Sequence, residues 1–255
     1  MKSLVYILLL LPSLLFADYQ YPIGESATYT IKWGLLSCGT STITCEKIEI
    51  EGQDLIRIRV RAKSNWLVST LYPVDDTVDC FIDPETQLSV RLEKNTSEGG
   101  FACKDILLIN RQNNTAQWDS KSGNISTNYP VNPDTCDAIS FLYAFRQYAF
   151  SKDESRDFNL AVDTALHGIT ITAKDTKKKK IGDTGKVLCR KFIATPKRDD
   201  LFVRKIPKEI WITEDARKIL AKMVVKVPVG NVRIVLKKYV PPATDKRKKP
   251  IARVK

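Results

Sequence analysis

Apolar and polar positions alternate along much of this chain with a period of two. The clearest case lies within residues 55–61, where Ile56, Ile58 and Val60 alternate with three arginines. Such a period is typical of a strand with one buried and one exposed face. Weaker alternation marks residues 27–33, 40–50, 77–82, 88–93, 102–110, 156–162, 168–173, 186–195, 209–213, 219–227 and 231–239. The pattern therefore predicts about eleven or twelve strands.

Short turn-forming segments separate these predicted strands. Examples are Glu51-Gly52-Gln53, Asp83-Pro84-Glu85 and Glu98-Gly99-Gly100, which contain residue types that favour tight turns. Links of this length join antiparallel neighbours, so the fold class is mainly β. A sandwich, a barrel and a strongly curved sheet all fit the pattern. We expect the last, a single curved antiparallel sheet that forms a half-barrel or an open barrel.

Residues 136–150 break the alternation. Phe141, Leu142 and Phe145 fall at helical spacing there and form part of a wide apolar stripe. We expect this helix to pack on the concave face of the sheet, either as a fixed plug of the core or as a lid over a ligand. A second, shorter helix is predicted at 65–71.

The chain begins with the pattern of a secretory signal peptide. Lys2 precedes an apolar run over residues 4–16, and Ala17 offers a small residue at the cleavage point. The run is shorter than the roughly 18–20 residues that cross a bilayer, so the mature protein is not expected to be transmembrane. We divide the chain into a signal peptide at 1–17, one β-rich domain at 18–239 and a basic, disordered tail at 240–255.

The net charge of the chain is +12. Most of it lies in the C-terminal residues from Lys237 onward and in four consecutive lysines at 177–180, which are expected at a hairpin tip. The rest of the chain is near neutral. A neutral body argues against a nucleic-acid-binding face. The basic segments suit an anionic membrane surface or an anionic envelope polymer.

Six cysteines, an even number, follow the signal peptide. In an exported protein such a set predicts disulfides. The chain has one histidine and no C-x-x-C motif, so no metal site and no cofactor are expected. The six are Cys38, Cys45, Cys80, Cys103, Cys136 and Cys189.

No residue pattern indicates a familiar catalytic site. Asp75, Asp76 and Asp79 form the densest acidic cluster, and glycoside hydrolysis needs two carboxylates that face one bond. Adjacent strand residues point to opposite faces, so a hydrogen-bonded loop entering a strand explains the cluster better. His167 is predicted to be a surface turn residue, and no G-x-S-x-G elbow accompanies it. We therefore expect no enzyme and no catalytic residue.

Several segments together resemble one bacterial family. They are Gly24-Glu25-Ser26-Ala27-Thr28-Tyr29, Trp33-Gly34, Tyr72-Pro73-Val74-Asp75-Asp76, Phe81-Ile82-Asp83-Pro84-Glu85-Thr86, the stretch 137–143 and the stretch 210–219. On these residues the chain resembles the domain-of-unknown-function 3108 (DUF3108) family over about residues 22–239. The resemblance implies an envelope protein of the bacterial periplasm, with no catalytic residue to carry over. The expected architecture is also similar to that of the outer-membrane lipoprotein carrier, a half-barrel whose helical lid shelters acyl chains.

Two functional hypotheses follow. In the first, the protein binds a lipid, an acyl chain or another amphipathic envelope ligand beneath the sheet, with Phe141, Leu142 and Phe145 lining the cavity and Trp33 and Trp66 at its rim. In the second, it is a structural or interaction protein of the periplasm whose basic tail engages anionic envelope polymers or a protein partner.

Overall fold

A sheet of fifteen strands dominates the computed structural model, which describes residues 21–183, 185–197, 206–227 and 230–242. The predicted signal peptide and residues 243–255 of the predicted tail lie outside the described residues. The strands are β1 Ser26–Trp33, β2 Leu36–Ile50, β3 Gln53–Ser64, β4 Asp75–Ile82, β5 Ser89–Glu98, β6 Phe101–Asn110, β7 Thr115–Ser120, β8 Ile125–Pro130, β9 Cys136–Asp137, β10 Ser155–Val162, β11 Ala165–Lys180, β12 Lys186–Pro196, β13 Pro207–Thr213, β14 Leu220–Lys226 and β15 Asn231–Val240.

The strand order is β8-β7-β6-β5-β4-β3-β2-β1-β15-β14-β13-β12-β11-β10-β9. Two meanders of antiparallel strands therefore meet where β1 pairs with β15. Among the described strands, only the two-residue β9 runs parallel to its neighbour, β10. Among the described residues, the sheet ends at β8 and β9 and does not close by hydrogen bonding. The predicted mainly β, open curved sheet is confirmed.

The sequence pattern missed three strands at these edges. The side chains of β8 are all exposed or half-buried, so the strand has no apolar face to produce a two-residue period. β9 is too short for any period, and its role is to lead into a helix. β7 buries only Ala116 and Trp118, and polar residues surround both of them. These strands form because of their neighbours, not because of their own alternation.

The alternation predicted for β3 is confirmed. Ile56 and Ile58 are buried, whereas Arg57 and Arg59 lie on the other face. The Nη2 of Arg57 is 2.7 Å from Glu46 Oε1, and the Nε of Arg59 is 2.7 Å from Asp79 Oδ1. On the inner face, strand register aligns one buried residue from each of six strands: Cys45, Ile58, Cys80, Leu92, Leu107 and Trp118. This row lies on the concave, apolar side.

The predicted long helix is a helix of two turns, α2 Ala138–Ala144, followed by a 3-10 turn, Phe145–Gln147. Asp137 caps its N-terminus, because its Oδ1 accepts from Ile139 N at 2.7 Å and from Ser140 N at 3.0 Å. Phe141, Tyr143 and Phe145 belong to the same buried core as the inner face of the sheet. The expected packing on the concave side is confirmed. We call residues 138–147 the plug.

The second predicted helix is the single turn α1, Trp66–Ser69, which Asn65 caps. No helix in the described ranges is long and apolar enough to cross a membrane. Two local predictions were wrong. The lysines at 177–180 do not form a hairpin tip but end β11. His167 is not a turn residue but belongs to the same strand, β11, where it pairs with Leu160 of β10.

The predicted disulfides do not form: all six cysteines, which lie in the described ranges, are free thiols. The register gives the reason for one pair. Cys45 and Cys80 both stand opposite Ile58, so one strand separates them. Strands lie about 4.8 Å apart, which puts these Cα atoms near 10 Å, beyond the reach of a disulfide.

Candidate functional site

Aromatic rings fill the space between the plug and the sheet. The ring of Phe145 stacks on Phe141 with 5.1 Å between centroids and meets Phe192 of β12 edge-on at 5.4 Å. Phe141 also meets Phe158 of β10 at 5.3 Å, and Phe150, just after the plug, meets Phe192 at 5.2 Å. The helical spacing of Phe141 and Phe145 is what directs both rings to one side. The cluster joins the plug to β10 and β12.

A small cavity of about 110 Å³ adjoins this aromatic cluster. Its walls combine aromatic rings with four charged side chains, and two of these form an ion pair in which the Nε of Arg190 is 3.0 Å from Glu214 Oε1. A water molecule occupies about 30 Å³ of liquid volume, so the cavity has room for a few methylene groups at most. The lining residues are Phe145, Arg146, Tyr148, Ala149, Phe150, Arg190, Phe192, Ile212, Glu214 and Lys218.

A buried ion pair holds the C-terminal end of the plug to the sheet. Arg146 places Nη1 and Nη2 each 3.2 Å from the two carboxylate oxygens of Glu25, which directly precedes β1. Tyr143 and Tyr239 donate to the same carboxylate at 3.2 and 2.9 Å. Burial, with the charge of Glu25 added, raises the pKa of Tyr143 well above its usual range. We call Glu25 and Arg146 the latch.

A second polar group fixes the start of the plug. The Sγ of Cys80 donates to Asp137 Oδ2 at 3.1 Å, and Ser140 Oγ donates to Ser89 Oγ at 3.2 Å. Burial and then the nearby Asp137 charge raise the pKa of the Cys80 thiol, so it stays protonated as a donor. The plug is therefore tied at both ends by buried polar contacts, with apolar packing between them.

The structure brings together three of the five predicted ligand-binding residues. Phe141 and Phe145 are buried in the core, and Leu142 borders a space of about 10 Å³ beside the latch. Trp33 and Trp66 lie elsewhere: Glu25 precedes β1 and Trp33 ends it, and eight strand residues span roughly 25 Å. The latch itself was missed, because its members are 121 residues apart and no local spacing relates them.

The acidic cluster serves the sheet. Asp75 binds Arg61 through two contacts of 3.1 Å, and this bond lowers the pKa of Asp75. Asp79 binds Arg59, and Asp76 accepts from Ser97 N at 2.8 Å. Each carboxylate thus has a structural partner on a neighbouring strand. Within the described ranges, no group of three or more histidine, cysteine or acidic side chains is arranged to hold a metal ion.

The comparisons with known proteins give a family and a fold. No curated protein matches the chain. A solved structure, the β-barrel-like protein of domain of unknown function DUF1849 from Brucella abortus, is similar with a TM-score of 0.57 at 10% identity, covering 88% of this chain and 100% of that one. The likeness supports the fold alone. The model of the DUF3108 family, described as protein of unknown function, matches residues 28–237. The chain therefore belongs to the DUF3108 family.

Proposed function

We propose that this protein is a non-enzymatic protein that is exported to the bacterial periplasm. There it binds a lipid, an acyl chain or another amphipathic envelope ligand beneath its sheet. The observation that carries the proposal is the plug. A ten-residue segment, rather than a second sheet, covers part of the apolar concave face of an open sheet. A segment this short can leave that face without unfolding the strands.

The contacts of the plug support this reading. Its apolar side faces a cavity of about 110 Å³ that aromatic rings already border, and an acyl chain needs a larger space. Displacement of the plug would provide that space, and Phe141, Leu142 and Phe145 would then release the surface that they cover. The latch and the Asp137 contacts would hold the plug closed while no ligand is bound.

The latch provides a direct test. For a ligand that binds only the open form, the free energy needed to displace the plug lowers the apparent affinity. A variant with a weaker latch should therefore bind that ligand more tightly. In the double variant Glu25→Gln/Arg146→Met, we expect the fluorescent fatty acid cis-parinaric acid to bind several-fold more tightly than in the parent protein. The double change avoids leaving one buried charge without its partner.

The matched control removes an ion pair from the outer face. Arg59→Met/Asp79→Asn deletes the pair between β3 and β4, away from the plug, and should leave parinaric acid affinity unchanged. Native mass spectrometry of the protein purified from its own envelope should also show a bound amphipathic ligand. A protein that carries none, with no parinaric acid binding in either the parent or the latch variant, would disprove the proposal.

A further inference from the structure

The exposed apolar side chains gather at one end of the sheet. Of thirteen large apolar residues that are exposed in the described ranges, nine lie in or beside four connections: β1–β2, β3–β4, β5–β6 and β7–β8. We call the exposed apolar side chains of residues 33–36, 65–74, 99–101 and 121–125 the apolar rim. The connections β2–β3, β4–β5 and β6–β7 at the other end consist mainly of charged, amide and glycine residues.

Hydrogen bonds join three of the four connections of the rim, β1–β2, β3–β4 and β5–β6. Asn65, at the start of the β3–β4 connection, donates from Nδ2 to Ser37 O at 2.5 Å and from its backbone N to Cys38 O at 2.8 Å. Gly99 N donates to Pro73 O at 2.8 Å. A Cβ on Gly99 would lie 2.3 Å from Tyr72 Cε2, so the ring lies directly over this glycine. The seven strand spacings from β1 to β8 extend over roughly 35 Å.

The tips of the rim project from the fold rather than pack on it. Leu35 is 100% exposed, Leu71 89% and Trp66 79%. α1, which carries Trp66, has no buried residue. These side chains contribute little to the core, and in water they form an apolar patch of the kind that marks an interaction site.

The charge at this end identifies the partner. Lys32 precedes Trp33, Lys121 opens the β7–β8 connection, and Lys226 ends β14 opposite Asn231. The carboxylates beside them have partners within the fold: Asp75 is held by Arg61 and Lys63, Asp76 accepts from Ser97 N, and Glu98 accepts from the hydroxyl of Tyr72. Tryptophan, tyrosine and leucine side chains at tips, with lysines set slightly behind them, suit the boundary between acyl chains and anionic headgroups.

We propose that the apolar rim rests on the surface of an anionic lipid bilayer. Leu35, Trp66 and Leu71 enter the headgroup layer, and the lysines at 32, 121 and 226 face the lipid phosphates. Four separate tips fit into a fluid surface without a complementary protein face. The inference goes beyond the ligand proposed for the interior and does not require it.

Vesicle flotation tests the inference on the mature chain after export and processing. We expect the protein to float with vesicles of phosphatidylglycerol and phosphatidylethanolamine, less with pure phosphatidylcholine, and less in high salt. The triple variant Leu35→Ser/Trp66→Ser/Leu71→Ser should bind at least ten-fold more weakly. Its three sites are more than three-quarters exposed, so the circular dichroism spectrum and melting temperature should not change. The matched control, Leu108→Ser/Leu188→Ser, changes exposed leucines in strands away from the rim and should bind normally.

Tryptophan fluorescence distinguishes lipid binding through the rim from lipid binding through the basic tail, since both segments suit anionic lipid. Trp33 and Trp66 lie on the rim, whereas Trp118 and Trp211 are buried in the core. Brominated lipids should therefore quench the tryptophan fluorescence of the parent protein but not that of the variant Trp33→Phe/Trp66→Phe. Full binding of the triple variant would assign binding to another segment and overturn the proposal. The proposal would also be overturned if the protein did not bind vesicles and instead self-associated through the rim.

Discussion

At the scale of single residues, the unusual positions are polar groups inside the core. Glu25 and Arg146 are both buried, and buried ion pairs are retained only where geometry and hydrogen bonds compensate for lost hydration. Free thiols occupy other core positions, among them Cys45, which stands opposite Ile58 on β3. These thiols behave as small apolar side chains, because burial in the core disfavours the charged thiolate.

The buried thiols predict a loss of stability at alkaline pH. Burial raises the pKa of Cys45 to about 12, whereas an unfolded cysteine titrates near 8.5. Above about pH 8.5 the unfolded chain therefore loses a proton that the folded chain keeps, so the free energy of unfolding falls by up to about 1.4 kcal/mol per pH unit for this thiol. Urea unfolding at pH 7.5, 9 and 10 measures the slope.

A variant assigns this slope to the thiol. Cys45→Ala should have a shallower decline between pH 9 and 10 than the parent protein. Thr44→Ala, the next position and half-buried on the other face, should keep the parent slope. Equal slopes in Cys45→Ala and the parent protein would show that the thiol is not protected from ionisation.

At the scale of elements, the plug depends on contacts far from it in sequence. Seven helical residues are too few to be stable alone in water. Asp137 supplies the cap, the aromatic rings supply packing, and the latch fixes the end. The element is thus formed by the sheet that encloses it.

The latch gives a prediction for this element. Arg146→Met leaves the Glu25 carboxylate buried without its cation, and we expect a loss of about 3–5 kcal/mol in the free energy of unfolding. Adding Glu25→Gln should restore part of that loss. Arg57→Met, which removes a partly exposed pair with Glu46, should cost about 1 kcal/mol or less. If urea unfolding gives equal losses for Arg146→Met and Arg57→Met, the latch does not hold the plug.

At the scale of the whole molecule, the sheet stays open between β8 and β9. The hydroxyl of Tyr129 in β8 donates to Asp163 O, in the turn after β10, at 3.0 Å. This bond crosses the opening and connects the two meanders at their outer edges. Burial also raises the pKa of Tyr129, so the donor keeps its proton.

Removal of the Tyr129 hydrogen bond should loosen the sheet locally, at the opening. Tyr129→Phe should lose about 1 kcal/mol of stability, and hydrogen exchange by mass spectrometry should show faster exchange in β8 and around residue 163 than in β1–β3. Tyr72→Phe, which alters an exposed hydroxyl 3.5 Å from Glu98, is the matched control and should leave exchange in β8 unchanged. A uniform increase over the whole sheet would contradict a role at the opening.

The sequence carried the information for elements whose pattern is local. Two-residue alternation located most strands, as in β3, and helical spacing located the plug and the side on which Phe141 and Phe145 lie. The same spacing could not identify β8, whose side chains are not buried, or the latch, whose members are distant in the chain. Cysteine count and compartment predicted disulfides, but pairing depends on distances that register sets.

The sequence by itself therefore determined that this protein is a mainly β chain with one apolar helix, because periodicity in side-chain polarity directly reflects which face meets water. Only the tertiary structure decided that fifteen strands form one open sheet, that Glu25 meets Arg146, and that separate connections combine into the apolar rim. Those features arise from contacts between segments that are distant in the chain, and a local sequence pattern carries no information about such contacts.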